Sequence, residues 1–327
     1  MLWLLSGVGM SNYIIRRMLL IIPTLFLISI VVFVIIRVMP GGIVDTLVQE
    51  AAMRGGSLDR QALERSLGLD APVYIQYGRW IRDLLLHGSL GDSLNAGLPV
   101  TEIILSRMWV TAELGFLAIA ASLLLGLPIG AYSAFRQDTV GDYIARSFAI
   151  IFLAVPTFWL ATMIILYSSI WWGWLPPLEV IPFTDDPLGN LKQFILPSLL
   201  TGMFMSGVCM RMTRTMMLEV LRQDYIRTAY AKGLSGGPVL IRHAMKNAFI
   251  PVITIIGMEL PMLVGGSVVV EQLFTLPGMG RLLLEALVDK DYTLVSGINL
   301  VIAVVIVFAN LLVDISYAYL DPRVRYR

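Results

Sequence analysis

Stretches free of charge and long enough to cross a bilayer recur along this chain, separated by polar intervals of unequal length. A hydrocarbon core of about 30 Å needs about 20 predominantly apolar residues in a helix. Six stretches meet that length. The first runs from Met18 to about Met39 and carries only Arg37, near its end, where a long side chain reaches the interface. The second lies between Glu113 and Arg136. The third begins after Arg146 and reaches Trp171, Trp172 and Trp174, whose rings suit an interfacial belt. The fourth is bounded by Lys192 and Arg211, the fifth extends from about Ala248 to Val270 around Glu259, and the sixth is uncharged from Tyr292 to Val313.

Two of the polar intervals are too long to be simple connectors. Residues 40–98 contain ALERSLGL and VYIQYGRWIRDLLL, whose apolar positions recur at helical spacing and predict short amphipathic helices outside the membrane. Residues 211–247 are basic, poor in loop-forming residues and also helical in pattern. The chain is therefore expected to be an all-α polytopic membrane protein with six transmembrane helices and a large external loop after the first span. Its segments would be a cytoplasmic or interfacial stretch 1–17, a first transmembrane helix 18–39, the external loop 40–98, a five-helix core 99–318 that includes the internal loop 211–247, and a tail 319–327.

Composition sharpens this picture. Charged residues make up 14% of the 327 positions, against roughly a quarter in soluble domains. With 57% hydrophobic residues, a water-soluble fold of this length could not hide its apolar surface. A single cysteine, Cys209, excludes an intramolecular disulfide, and two histidines, His87 and His243, argue against a protein-built zinc site. No metal ligand or catalytic residue is expected. The first nine residues are too short and lack the leading positive charge of a signal peptide, so they read as a membrane-adjacent extension, and translation from Met10 is compatible with the pattern.

The net charge of +1 excludes a strongly basic nucleic-acid binder but conceals a polarised distribution. Lysine and arginine accumulate on the cytoplasmic side of membrane proteins. Placing both termini there gives that side fourteen basic and five acidic residues, and the opposite side nine basic and fifteen acidic ones. The asymmetry favours both ends inside.

The internal loop carries the strongest candidate chemistry. Asp224 stands where it could cap a helix through YIRTAYAK, Lys232 falls in its last turn and Gly233 where it would end. Ile226, Ala229, Tyr230 and Gly233 share one helical face, made of small residues and one aromatic knob, which suits insertion into a partner's groove. Ser235, Gly236 and Gly237 form a break, after which Pro238 could open a second helix, VLIRHAMKNAFI. The plainer alternative is a solvated basic loop that only sets topology.

The run Asp224-Tyr225-Ile226-Arg227-Thr228-Ala229-Tyr230-Ala231-Lys232-Gly233-Leu234, followed by Arg242-His243-Ala244-Met245-Lys246-Asn247-Ala248 and Pro251, resembles the cytoplasmic signature loop of ABC importer permeases, in their peptide and nickel branch. Further matching residues are Tyr13 to Arg17, Pro40-Gly41-Gly42, Leu67 to Asp70, Glu271 to Phe274, Pro277 to Arg281, Asn310 to Asp314, and Asp321-Pro322-Arg323. The resemblance covers nearly the whole chain. It implies a non-catalytic permease subunit of an ATP-driven importer for peptides or a related small solute. Its partners would be a second homologous permease, two cytoplasmic ABC ATPases that bind ATP and Mg, an external solute-binding protein, and membrane lipid. It also implies that Asp224, Tyr225, Ile226, Arg227, Thr228, Ala229, Tyr230, Lys232 and Gly233 form a coupling helix that receives the ATPase stroke. The broader pattern has a glutamate six positions before the glycine; here Arg227 stands in that place, with Asp224 one turn earlier.

Other features have competing readings. Glu113, Glu259 and Asp314 lie in or near spans, and intramembrane carboxylates suggest proton relays. Glu113 and Asp314 sit close to expected span ends, whereas Glu259 is deeper and is a candidate for lining the translocation path or, alternatively, for carrying a proton in an ion-coupled secondary transporter. Methionines recur along the fourth span, with Met205 and Met212 as candidate path residues and ordinary packing as the alternative. Gly126 and Gly130 form a G-x-x-x-G packing signal. Gly233 to Gly237 formally match G-x-S-x-G around Ser235, but a nucleophile elbow needs a preceding strand, and a helix is expected instead. No G-x-x-x-x-G-K-[ST] loop is present, so nucleotide hydrolysis would belong to another subunit.

Overall fold

The computed structural model describes residues 2–38, 43–53, 55–66, 68–239 and 267–320, together with Met245, Ala248, Val252 and Gly257. Among the described residues every regular element is a helix, and an isolated antiparallel bridge joins Asp92 to Pro99. In chain order the helices are α1 (Leu2–Val38), α2 (Ile43–Met53), α3 (Arg60–Ser66), α4 (Val73–His87), α5 (Val100–Phe135), α6 (Val140–Ala154), α7 (Thr157–Trp172), α8 (Pro187–Leu221), α9 (Asp224–Ala231), the single turn α10 (Gly236–Pro238), α11 (Met279–Val288) and α12 (Tyr292–Leu320). Residues 267–273 are also helical.

Four of these helices contain a stretch apolar and long enough to cross a membrane, at Ile15–Ile35, Val100–Phe135, Pro187–Leu221 and Tyr292–Val313. α6 and α7 make a fifth candidate only as a pair, bent by 96°. The stretch expected to be the fifth span, from about Ala248 to Val270, lies largely outside the described residues.

The structure refines two of the expected spans. The third span is not one straight helix. Pro156 lacks an N–H and disfavours helical backbone at the residue before it, so Val155 takes φ −82°, ψ 122° and the chain turns there. The apolar run continues through the break, which is why hydropathy alone misses it. Secondly, α5 begins at Val100, so the helix extends well ahead of the expected span, and Glu113 lies inside it and is half-buried. Charge marks where desolvation becomes costly; it does not stop backbone hydrogen bonding.

The chain divides into two compact units. The first comprises Met1–Ile15, Val110–Gly280 and Phe308–Arg327. Its core gathers Leu114, Ala161, Phe194, Leu200, Val270, Phe274 and Leu276. Glycines decide how closely its helices approach. A Cβ on Gly126 would stand 2.6 Å from Cys209 Sγ, and one on Gly130 would stand 2.6 Å from the Met210 carbonyl oxygen. The G-x-x-x-G of α5 is thus a bare strip against which α8 lies nearly backbone to backbone. Gly207 of α8 meets the Ala149 carbonyl of α6 in the same way. α8 itself starts sharply, with the Asp186 carboxylate accepting from the Leu188 and Gly189 N–H groups and Pro187 in the first turn.

The second unit comprises Arg16–Trp109 and Arg281–Val307. The two predicted amphipathic helices are present as α3 and α4. One face of α4 packs on α1 through Tyr77 and Trp80, whose rings contact Phe33, and the Tyr77 hydroxyl lies 2.7 Å from that of Ser29. The other face leaves Tyr74, Leu85 and Leu86 exposed. α4 ends at Gly88, whose φ of +63° is the left-handed conformation that closes a helix.

Candidate functional site

The segment 211–247 begins as a continuation of α8, which runs ten residues beyond Arg211 to Leu221. What holds this extension is a buried ion pair. Arg214 on α8 donates from Nε and Nη2 to the two carboxylate oxygens of Asp142, both at 2.9 Å. Asp142 sits in the first turn of α6 with its side chain fully buried, and Arg214 is 21% exposed. The Ser133 hydroxyl and the Asp138 N–H also donate to the carboxylate. Four donors on one carboxylate satisfy a charge that would otherwise be costly to bury. Because 72 residues separate the partners, no local pattern reveals the pair.

A two-residue link then leads into α9. The N-cap position belongs to Gln223, which makes no side-chain cap, so Asp224 is the first helical residue and not the cap expected from sequence. Its carboxylate instead meets Arg227 at 3.5 Å, with both side chains largely solvated, so the pair adds little stability. A carboxylate in the first turn still faces the positive end of the helix. The other end closes at Gly233 as expected, although Lys232 is the C-cap residue and not part of the last turn. The Gly233 N–H donates to Tyr230 O at 2.9 Å and the Leu234 N–H to Ala229 O at 3.3 Å, the paired bonds of a Schellman cap. Gly233 has φ +82°, and no atom lies within 4 Å of where its Cβ would be. Glycine is required there for backbone conformation, not for space.

The face expected to enter a partner's groove is split. Ile226 and Ala229 are buried, 1% and 8% exposed, in a cluster with Ala134, Met217, Val239 and Ala248. The end of α8 supplies the nearest apolar surface, and the two residues bury against it rather than await a partner. Asp224, Tyr225, Arg227, Thr228, Tyr230 and Lys232 face outward. On the small-residue face Tyr230 stays exposed, at 45%, and so does Gly233.

Met205 is enclosed with Ala118, Cys209 and Val252, so it packs inside the first unit, while Met212 is half-buried. Glu259 lies outside the described residues, as do the side chain of Asp314 and most of the predicted second helix of the loop. Ser235 follows α9, a helix, and not the strand a nucleophile elbow needs.

Two polar sites escaped the sequence reading. Glu271 is fully buried and accepts from the Thr111 hydroxyl at 2.7 Å, which in turn accepts from the Met279 N–H at 2.8 Å. A Cβ on Gly278 would collide with this carboxylate, so the bare glycine in the turn leaves the room that Glu271 occupies. In the second unit, Asp291 is buried, accepts from the Ser93 hydroxyl and the Leu94 N–H, and caps α12 through the Leu294 N–H. The turn residues around Gly278 were the available signal for the first; an aspartate directly before an apolar run was the only one for the second.

The family model for a binding-protein-dependent transport system inner membrane component matches residues 126–326, and the model for the N-terminal part of such components matches residues 10–115. The chain belongs to this family. It is accordingly an ABC transporter permease of the inner membrane, with several spans. The permease is 40% identical over 97% of its length to the whole of a peptide transport system permease protein of Brucella abortus. It is 38% identical, again over 97% of its length, to the whole of the dipeptide transport system permease protein DppB of Alkalihalophilus pseudofirmus. The MetNI methionine ABC transporter in an inward-facing conformation shares the fold, with a TM-score of 0.54 at 14% identity over 68% of the permease and 97% of that chain.

Proposed function

We propose that this permease carries peptides inward as the membrane subunit of an ATP-driven importer, and that residues 224–233 take up the stroke of a cytoplasmic ATPase. The observation that carries the coupling role is the seating of α9: two buried anchors, Ile226 and Ala229, join it to the end of α8, while a polar and aromatic face points outward. A partner that grips this face would move α8 with it. Peptide as cargo rests on relatives named as peptide and dipeptide permeases.

In this reading the chain crosses the membrane six times with both termini in the cytoplasm, and residues 40–98 lie outside, against the solute-binding protein or the partner permease. A second homologous permease completes the pore. Two ATPase subunits hold ATP and Mg, and this chain binds neither. Basic residues around α9 place a cationic surface at the ATPase contact. A carboxylate relay through Glu259 is not required.

The test uses the complex reconstituted in vesicles with its ATPases, second permease and binding protein. Arg227→Glu with Tyr230→Ala alters only exposed positions, so assembly is expected to persist while peptide uptake falls at least tenfold and stimulation of ATPase by loaded binding protein is lost. Glu259→Gln is expected to keep uptake. Normal uptake by the α9 variant, or abolished uptake by Glu259→Gln with ATPase intact, would overturn the coupling assignment. If a sugar or metal chelate stimulates the ATPase and no peptide does, the cargo assignment falls separately.

A further inference from the structure

A groove of about 310 Å³ opens between α6 and α8, against the glycine strip of α5. Its apolar side is built by Ala149, Ile150 and Leu153 of α6 and Met210 of α8; its rim carries Arg146 and Arg211, with Arg214 behind them. Arg146, Ala149, Ile150 and Leu153 follow one another at the helical spacing of a single face. Arg214 is neutralised by Asp142. Neither Arg146 nor Arg211 has a carboxylate within ion-pair distance among the described residues. Arg146 instead stands over the Tyr143 ring at 5.5 Å.

We infer that this groove seats an anionic phospholipid of the cytoplasmic leaflet. The two arginines would hold the headgroup phosphate, and the apolar wall would take the first carbons of an acyl chain. Charge complementarity selects this occupant: two cations with no ion-pair partner among the described residues sit at the rim of an apolar slot that α6 forms with α5 and α8, both long enough to cross a membrane. Basic pockets between transmembrane helices on the cytoplasmic side bind such headgroups. A zwitterionic lipid would gain little here, because its own ammonium group opposes the arginines.

The inference rests on the proposed orientation of the chain in the membrane and is independent of cargo and of the coupling role. Each basic residue near an anionic surface strengthens lipid attachment about fivefold, so two are worth roughly thirtyfold. Native mass spectrometry of the full chain in mild detergent, titrated with phosphatidylglycerol, reads this directly. Arg146→Gln with Arg211→Gln is expected to weaken the tightest lipid adduct roughly thirtyfold, whereas Arg146→Lys with Arg211→Lys keeps most of it, and phosphatidylcholine binds equally weakly to all three proteins. Should the glutamine variant fail to fold, Leu153→Trp fills the apolar half with both charges intact and is expected to lose the adduct as well. Unchanged phosphatidylglycerol binding in the glutamine variant, or in Leu153→Trp when that variant stands in, overturns the site. Displacement of the lipid by millimolar inorganic phosphate overturns the lipid assignment in favour of a free-anion site.

Discussion

Removing both partners of the Asp142–Arg214 pair should cost clearly less than the two single removals added together. In Arg214→Met the carboxylate of Asp142 stays at full burial, keeping the Ser133 and Asp138 donors but losing both guanidinium bonds. Breaking a buried pair in this way costs about 3–5 kcal/mol. The two retained donors bring the expectation to the lower end, about 3 kcal/mol. Asp142→Asn leaves Arg214 facing a neutral amide and, since the arginine reaches solvent, should cost less, about 2 kcal/mol. The double variant has no uncompensated charge, so its loss should fall well below the sum, with a coupling energy of about 2 kcal/mol. Reversible unfolding of the four proteins in mixed micelles, followed by tryptophan fluorescence, measures the cycle. Additive losses, or single losses below about 0.5 kcal/mol, would refute the view that this pair secures the junction of α6 with α8.

Glycine contacts supply a paired expectation: Gly130→Ala must push the Met210 backbone aside and should destabilise by about 1–3 kcal/mol, whereas Gly78→Ala in α4 meets nothing within 4 Å and should stabilise by about 0.5–1 kcal/mol. The same unfolding assay ranks both. Gly278→Ala should displace the Glu271 carboxylate and cost about 1–3 kcal/mol, and a smaller loss in Gly278→Ala combined with Glu271→Ala would locate the clash. Asp291→Ala removes a helix cap and the acceptor for Ser93 and Leu94; limited proteolysis should then cut within 92–97 at least ten times faster, consistent with a loss of about 2 kcal/mol.

What the sequence revealed, and what it concealed, divides by the range of the interactions. Helical period in residues 60–87 announced α3 and α4 because amphipathicity is a local signal. Gly126 and Gly130 announced a close approach, though not that Cys209 and Met210 would meet them. The bend at Pro156 was written in the sequence but masked by hydropathy, which registers apolar character and ignores a missing N–H. The reach of α5 was hidden because Glu102, Arg107 and Glu113 look like boundaries to a reading that equates helix with membrane. In α9 the helix, its last turn and Gly233 were legible, yet the direction of its apolar face was not, since that depends on Met217 and Val239 arriving from elsewhere in the chain. Asp142 with Arg214, and Asp291 with Ser93, are purely tertiary pairs and leave no trace in spacing.

The junction between α8 and α9 has a mechanical consequence. Only Arg222 and Gln223 intervene, and both N–H groups are bonded back, to Glu219 O at 3.3 Å and Val220 O at 3.0 Å. With Ile226 and Ala229 clamped on Met217, there is no slack to absorb a push. The 35 residues of α8 span about 52 Å, so the two helices form a crank with a short handle and a long shaft. Under the proposed coupling role, torque applied at the handle would pass along the shaft toward Pro197, and the backbone contacts at Gly126, Gly130 and Gly207 would act as bearings along it, because sliding there is free of side chains that would have to climb over one another.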